Sequence, residues 1–263
     1  MHVVEISLLV SACIFTGGLA GIYLHRILPD EHMTKDTLDV VRLAIGMISV
    51  LASLVLGLLI ATAKTSFDTT DTAMRDYGAD LVLLAETFRD YGDGASAPRA
   101  VLRAYTERIL HDNWPDKGPA RILAGEDREA GTLMEHLREA IRALAPMDAG
   151  QTWLKDQALQ VSTSLLRQRS LLIDQREPSV RPAILVILVI WIALIFVGFG
   201  LNAPRNGTVV AAFAVCSLAI GGAIFLVQEL DSPFGGLIRI SSRSITTALA
   251  HMPPSPPAAP RVK

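Results

Sequence analysis

The sequence has few of the residues and motifs on which enzymes and nucleic-acid-binding proteins depend. Only 2 of its 263 residues are cysteine, Cys13 and Cys216, and both stand in apolar segments, where cysteine is most simply a small buried hydrophobe. A formal net charge of −2 gives no basic field for nucleic acid. Glycine-rich phosphate loops, zinc-finger spacings and G-x-S-x-G nucleophile motifs do not occur. We therefore expect no enzymatic activity, no cofactor and no nucleic-acid partner.

One cluster of metal-binding residue types occurs in the polar middle of the chain. His111 and His136 stand near Glu107, Asp112 and Glu135. The two histidines fall on different predicted helices, and neither belongs to an H-x-x-x-H pair that would place two ligands on one helix face. The pattern favours solvated helix faces, and we expect no metal site.

Apolar residues dominate the composition, and they are clustered. They make up 51% of the chain, against 19% charged residues. A bilayer-spanning helix needs about 20 apolar residues. Four segments meet this requirement and are predicted to span a membrane: about 3–24, 40–63, 183–201 and 208–227. The span interiors lack charge, which argues against a proton-coupled transporter, since such proteins keep an ionisable group at membrane depth.

The remaining segments complete an all-α polytopic membrane protein. Residues 1–63 form one transmembrane hairpin and residues 182–228 a second. Between them, residues 64–181 are predicted to fold as a helical extramembrane domain. Its first helix continues span 2 up to Gly92 and Gly94, and further helices are expected over about 98–114, 127–145 and 148–175, from apolar residues at helical spacing.

The C-terminal region is predicted to have two parts. Residues 229–250 form a membrane-proximal amphipathic segment, with a helix starting at Asp231 or Ser232 before Pro233. Residues 251–263 are a proline-rich tail that we expect to be disordered.

The distribution of basic residues predicts the orientation. The two short loops on one side carry Arg26, Lys35 and Arg205, with Arg42 at an edge, whereas the span ends next to the helical domain carry more arginine and lysine. By the positive-inside rule, the helical domain and both termini face the cytoplasm. The basic residues on the domain side are Lys64, Arg75, Arg167, Arg169, Arg176, Arg181, Arg239 and Arg243.

Small residues repeat every four positions along span 2, at Ser49, Ser53, Gly57 and Ala61. They share one face of the helix. This face is suited to close packing against another helix, or to lining a narrow water-filled path beside a hydrophobic gate at Ile48, Leu56 or Ile60. The pattern alone leaves both interpretations open.

Lys64 ends the same span and also has two interpretations. It is either an interfacial anchor whose ammonium group reaches the water, or part of a ring of positive charge that draws anions to the mouth of a pore. Asp68 follows four residues later and can pair with Lys64 on the helix, so the sequence does not settle the sign of the ion.

The layout and two short motifs resemble bestrophins. Residues 56–64, LGLLIATAK, with SFD at 66–68, and residues 229–236, ELDSPFGG, resemble segments of the bacterial bestrophin-like family of four-span membrane proteins. The resemblance implies a homo-oligomer, a pentamer in bestrophins, with the second spans lining a passive ion pore. Membrane lipid and small ions are then its partners. The ions are anions or, in some bacterial members, cations, with anions favoured here, and the spans are expected in the inner membrane of a bacterium.

Two features depart from the bestrophin pattern. The acidic run that follows proline-phenylalanine-glycine in calcium-gated bestrophins is replaced by Gly236-Leu237-Ile238-Arg239, and span 2 contains no phenylalanine. Too few carboxylates remain for a calcium site, which needs about six or seven oxygen ligands. The alternative function is a non-conducting interaction or sensor module, anchored in the membrane and acting through its helical domain.

The C-terminal motif also has two interpretations. Glu229, Asp231 and Pro233 mark the end of a span and the start of the next element. In the functional interpretation, the motif, including Phe234 and Gly235, is a gating strap that packs Phe234 on the helical domain.

Overall fold

A computed structural model describes residues 2–29, 34–114, 128–174 and 181–252. Every regular element in these ranges is helical, which confirms the all-α class. The elements are α1 His2–Ile27, α2 Lys35–Tyr91, a short 3₁₀ turn Asp93–Ala95, α3 Ser96–Asn113, α4 Arg128–Arg142, α5 Ala149–Asp174, α6 Pro182–Asn202, α7 Gly207–Leu230 and α8 Arg243–Ala250. The tail predicted over 251–263 lies outside the described residues, except for positions 251 and 252.

The chain divides into two compact units. Met1–Phe67 and Pro178–Ser232 form the membrane unit, and Asp68–Glu177 with Pro233–Lys263 forms the helical unit. Helices α1, α2, α6 and α7 are each long and apolar enough to cross a bilayer, as predicted.

Glycines bring the helices of the membrane unit close together. α1 packs against α6 and α7. A methyl group added at Gly17 would lie 3.0 Å from the carbonyl oxygen of Ala193, and one added at Gly21 would overlap the carbonyl of Val197. Close backbone approach of this kind is how helices associate in lipid, where the hydrophobic effect drives association only weakly.

The helical unit has a core of large apolar side chains. α4 buries one side chain per turn, at Ala130, Met134, Leu137 and Ile141. The apolar spacing that predicts the helix over 148–175 includes Trp153 and places it inward, but this side chain is 63% exposed. The buried stripe of α5 runs through Ala158, Leu165 and Leu172, and a residue five positions before this stripe is rotated away from it.

Glycine controls the course of α2. The helix runs for 57 residues and ends at Tyr91, where Gly92 takes a φ of 93° that other residues rarely adopt. Gly78 does not interrupt the helix. A Cβ atom there would lie 2.6 Å from the Cβ of Ser244, so glycine admits the N-terminus of α8.

The predicted helix start at Asp231 or Ser232 is wrong. The backbone N–H of Asp231 donates to Val227 O at 3.1 Å, so this residue caps the end of α7. Residues 233–240 then form a loop that contains Gly236 at φ 87°, and the helix begins only at Arg243. The proline-based start signal fails here because the glycines after it favour a loop.

Candidate pore helix and C-terminal strap

One face of α2 is buried within the membrane unit. Ile45, Ala52 and Leu59 are 5–8% exposed and stand seven residues apart, and Ala63 is fully buried on the same side. Seven residues make about two helical turns, so these side chains form one stripe. The stripe is narrow. Only 17% of the most apolar 18-residue window of α2 is buried, against 33% of the corresponding window of α6.

The exposed surface of α2 has two unlike sectors. One sector carries bulky apolar side chains that are 50–71% exposed. The other carries small residues and a terminal lysine, and no atom lies within 4 Å of a methyl group added at Gly46 or Gly57. The bulky sector is Val40, Leu43, Met47, Leu51, Leu54 and Leu58, and Val50, which is 69% exposed, lies between it and the small sector. The small sector is Gly46, Ser53, Gly57 and Lys64, spaced seven, four and seven residues apart.

The predicted pore residues divide between the small sector and its edge. Ser53, Gly57 and Lys64 are exposed on the small sector. Ser49 is half-buried, and its hydroxyl donates to Ile45 O at 2.7 Å. Ile60 is half-buried against the core of the membrane unit.

A groove runs beside the small sector. Its volume is about 450 Å³, and α2 contributes Ser49 and Ser53 to its wall. Aromatic residues of α6 and α7 form much of the rest, and Cys216 also lines it. The aromatic residues are Phe196, Phe199 and Phe213.

The C-terminal motif continues into a segment that is packed on the helical unit, which we call the strap (residues 233–252). Phe234 is 5% exposed and meets Trp114 edge-on, with ring centroids 5.6 Å apart. The indole Nε1 of Trp114 donates to Ile240 O at 2.9 Å, and Ile240 N donates to Pro233 O at 2.8 Å. One tryptophan therefore holds both ends of the loop.

The rest of the strap is also held in place. Ser244 lies against Gly78, and the side chains of Ile245 and Ala248 are fully buried. Arg103 Nη1 donates to Met252 O at 2.9 Å.

The remaining motif residues have unlike surroundings. Glu229 is 3% exposed in the last turn of α7, and Asp231 caps that helix. Pro233 and Gly235 are half-buried. The part played by Trp114 was missed, because a tryptophan at a helix end gives no signal of a partner more than a hundred residues away.

Sequence reasoning also missed a buried tyrosine pair. The hydroxyls of Tyr77 on α2 and Tyr105 on α3 are hydrogen-bonded to each other, and both side chains are fully buried. Burial raises the pKa of Tyr105 to about 12 and raises the pKa of Tyr77 well above its usual value. Nearby, Asp80 Oδ2 accepts hydrogen bonds from Ser164 Oγ at 2.7 Å and Gln168 Nε2 at 2.9 Å.

Comparison with known proteins defines the class. The family model for the Bestrophin-like domain matches residues 12–245. The chain therefore belongs to the Bestrophin-like family. A search of curated proteins finds no match.

Solved structures share the fold. Crystal structures of a bacterial bestrophin homologue from Klebsiella pneumoniae resemble this chain at 14% identity. A point-substituted form gives a TM-score of 0.65 and covers 96% of this chain and 97% of its own. A form solved by Zn-SAD phasing gives 0.62, with 91% and 97% covered. The molecule is thus a membrane protein with the all-helical bestrophin fold.

Proposed function

We propose that this protein is a passive ion channel in which copies of α2 line the pore with their small sector. The observation that carries the proposal is the unlike chemistry of the two exposed sectors of α2. A helix that faced only lipid would have bulky apolar residues all round. Here one sector instead carries Gly46, Ser53 and Gly57.

The small sector suits weak contact with ions. A serine hydroxyl and the backbone beside a bare glycine offer polar atoms that bind an ion loosely enough for it to leave again. Lys64 lies on the same sector, where the apolar span ends. We propose anions over cations on the bestrophin resemblance, since Asp68 can pair with Lys64 on the helix. Ile60 stands at the edge of this sector as a hydrophobic constriction.

A single exposed helix cannot enclose a pore, so the proposal requires a homo-oligomer. The bestrophin resemblance favours a pentamer. We place the spans in the bacterial inner membrane, with the helical unit and both termini in the cytoplasm, because arginine and lysine concentrate at that end of the spans.

Cysteine accessibility tests the pore-lining sector. In a background of Cys13→Ala and Cys216→Ala, cysteine is placed at Ser53 or Gly57, and at Met47 or Leu54 as matched controls on the bulky sector. The protein is reconstituted in liposomes and treated with a charged, water-soluble thiol reagent. We expect reaction at Ser53→Cys and Gly57→Cys and protection at both controls. Protection at all four positions would contradict the proposal.

We further propose that the C-terminal motif couples the strap to gating. Glu229 and Asp231 end the last span, Pro233 and Gly235 shape the turn, and Phe234 docks on Trp114. A change in this docking would pull on the end of α7. The expected result is an altered open probability in Phe234→Ala, with unchanged single-channel conductance, because the pore wall is intact.

The non-conducting module remains a second candidate, and one observation favours it. Trp153 and Met147, six residues apart in the helical unit, are 63% and 88% exposed and offer apolar surface to a partner. Light scattering of the purified protein, with detergent subtracted, separates the two functions. A species near five protomers supports the channel, whereas a stable monomer or dimer supports the module.

A further inference from the structure

The loop within the strap, residues 233–240, holds apolar side chains in exposed positions. Leu237 is 81% exposed and Ile238 36%, whereas Phe234 and Ile240 on either side are 5% and 2% exposed. The hydrogen bond from Ile240 N to Pro233 O closes the loop, and Arg239 Nε donates to Gly236 O at 2.7 Å within it. The two side chains are thus presented outward by an ordered turn.

The chain itself keeps this loop near the bilayer. Leu237 follows Leu230, the last residue of α7, by seven positions. Seven residues reach at most about 25 Å when fully extended, and this segment turns back on itself. The tip therefore stays within reach of the interface at the end of the fourth span.

Positive charge adjoins the apolar tip. Arg239 follows it directly, and both Arg239 and Arg243 are exposed. Arg243 lines a cleft of about 290 Å³ together with Arg75 and Asp71. Asp71 is the one carboxylate among the described residues that line the cleft, and it pairs with Arg75 at 2.7 Å. That pair is close to neutral, so Arg239 and Arg243 supply the net charge.

We propose that residues 235–239 anchor the helical unit to the membrane surface. Leu237 and Ile238 enter the boundary between headgroups and acyl chains, and Arg239 and Arg243 bind the phosphates of anionic phospholipids. An exposed apolar tip beside arginines matches both layers of such an interface. The proposal requires a bilayer around α7 but does not depend on ion conduction.

An environment-sensitive fluorophore at the loop tip tests the anchor. It is attached to Leu237→Cys in the full chain with Cys13→Ala and Cys216→Ala. The protein is placed in nanodiscs of phosphatidylcholine alone or mixed equally with phosphatidylglycerol, with and without brominated lipid. We expect blue-shifted emission and quenching by brominated lipid, both stronger with phosphatidylglycerol. The same fluorophore on Gln160→Cys, at an exposed position of α5, should stay water-like.

Charge variants test the second half of the proposal. Arg239→Gln and Arg243→Gln should each reduce the preference for phosphatidylglycerol roughly fivefold, the equivalent of ~1 kcal/mol per arginine near an anionic surface. Arg89→Gln, on an exposed arginine at the end of α2, is the control and should leave the preference unchanged.

Two results would overturn the anchor. Water-like emission at position 237 in both lipid mixtures would show that the tip does not enter the interface. Emission that is shielded in detergent and insensitive to brominated lipid would show that a second copy of the chain covers the loop.

Discussion

The two units of this protein place their large apolar side chains differently. Of the twelve largest fully buried side chains among the described residues, eleven lie in the helical unit and only Ile14 lies in the membrane unit. Most of the exposed large apolar side chains, in contrast, belong to the membrane unit. The difference follows from the solvent, because lipid covers apolar surface that water would force inward.

Glycines also have different roles in different helices of the membrane unit. In α1, Gly21 lies in contact with the backbone of α6, where the fit of small residues holds helices together. On α2, a methyl group added at Gly46 or Gly57 would meet nothing within 4 Å, so these glycines leave a thin, bare surface. The first kind of glycine stabilises the unit, and the second is available for function.

The largest effect is expected from Gly21→Leu. The added side chain would collide with the backbone of Val197, and overpacking costs about 3 kcal/mol or more, a large part of the stability of a typical domain. We expect loss of monodisperse protein after detergent extraction. Gly222→Leu on α7, where a methyl group meets nothing within 4 Å, should behave like the parent protein. Equal tolerance of both substitutions would contradict the packing account.

The next effect is expected in the helical unit. Phe234→Ala empties the buried position against Trp114 and should destabilise the strap by ~3 kcal/mol. Trypsin should then cleave faster at Arg239 and Arg243. Leu171→Ala removes an exposed side chain of α5, outside the strap, and should leave cleavage unchanged. Equal cleavage in both variants would mean that Phe234 does not hold the strap.

A smaller effect is expected from the tyrosine pair. Tyr105→Phe leaves the buried hydroxyl of Tyr77 without its partner and should cost about 1–2 kcal/mol of unfolding free energy. The double variant Tyr77→Phe, Tyr105→Phe removes both hydroxyls and should recover part of that loss. Denaturant unfolding of the single and double variants measures the difference, and additive losses would argue against a coupled pair.

The tyrosine pair also predicts that the free energy of unfolding depends on pH in the alkaline range and not near neutral pH. The folded-state pKa of Tyr105 is about 12, above the value of about 10 for an exposed tyrosine, so the folded protein retains a proton that the unfolded chain releases. The stabilisation is complete below about pH 10 and falls as the pH rises towards 12. Melting temperatures over this window should fall more steeply in the parent than in the double phenylalanine variant.

Most of the fold was predictable from the sequence, because the packing of the helices agrees with the local sequence patterns. Each correct prediction depends on one local signal. The spans follow from long apolar runs, the extension of α2 from the glycine that ends it at Gly92, and the buried stripe of α4 from apolar residues at helical spacing. Beyond the packing of Phe234 on the helical domain, the strap was not predictable in the same way. Its course depends on Trp114 meeting Ile240 and on Gly78 admitting Ser244, contacts that no local pattern encodes.

The sequence repeat identified some residues of the candidate pore lining but not the exposed sector of α2 to which they belong. The four-residue repeat identified Ser49, Ser53 and Gly57, while the structure turns Ser49 towards the groove of the membrane unit and leaves Gly46 on the exposed side. A repeat of four drifts around a helix of 3.6 residues per turn, so residues along it come to face different neighbours.

Single-channel recording tests the central claim most directly. Gly57→Cys, in the background without Cys13 and Cys216, is purified, reconstituted in a planar bilayer and exposed to a charged, water-soluble thiol reagent. The account predicts ion currents that fall in amplitude after the reagent is added, while Leu54→Cys currents stay unchanged. Absence of current in the parent protein, or block at Leu54→Cys but not at Gly57→Cys, would contradict the claim that the small sector of α2 lines an ion pore.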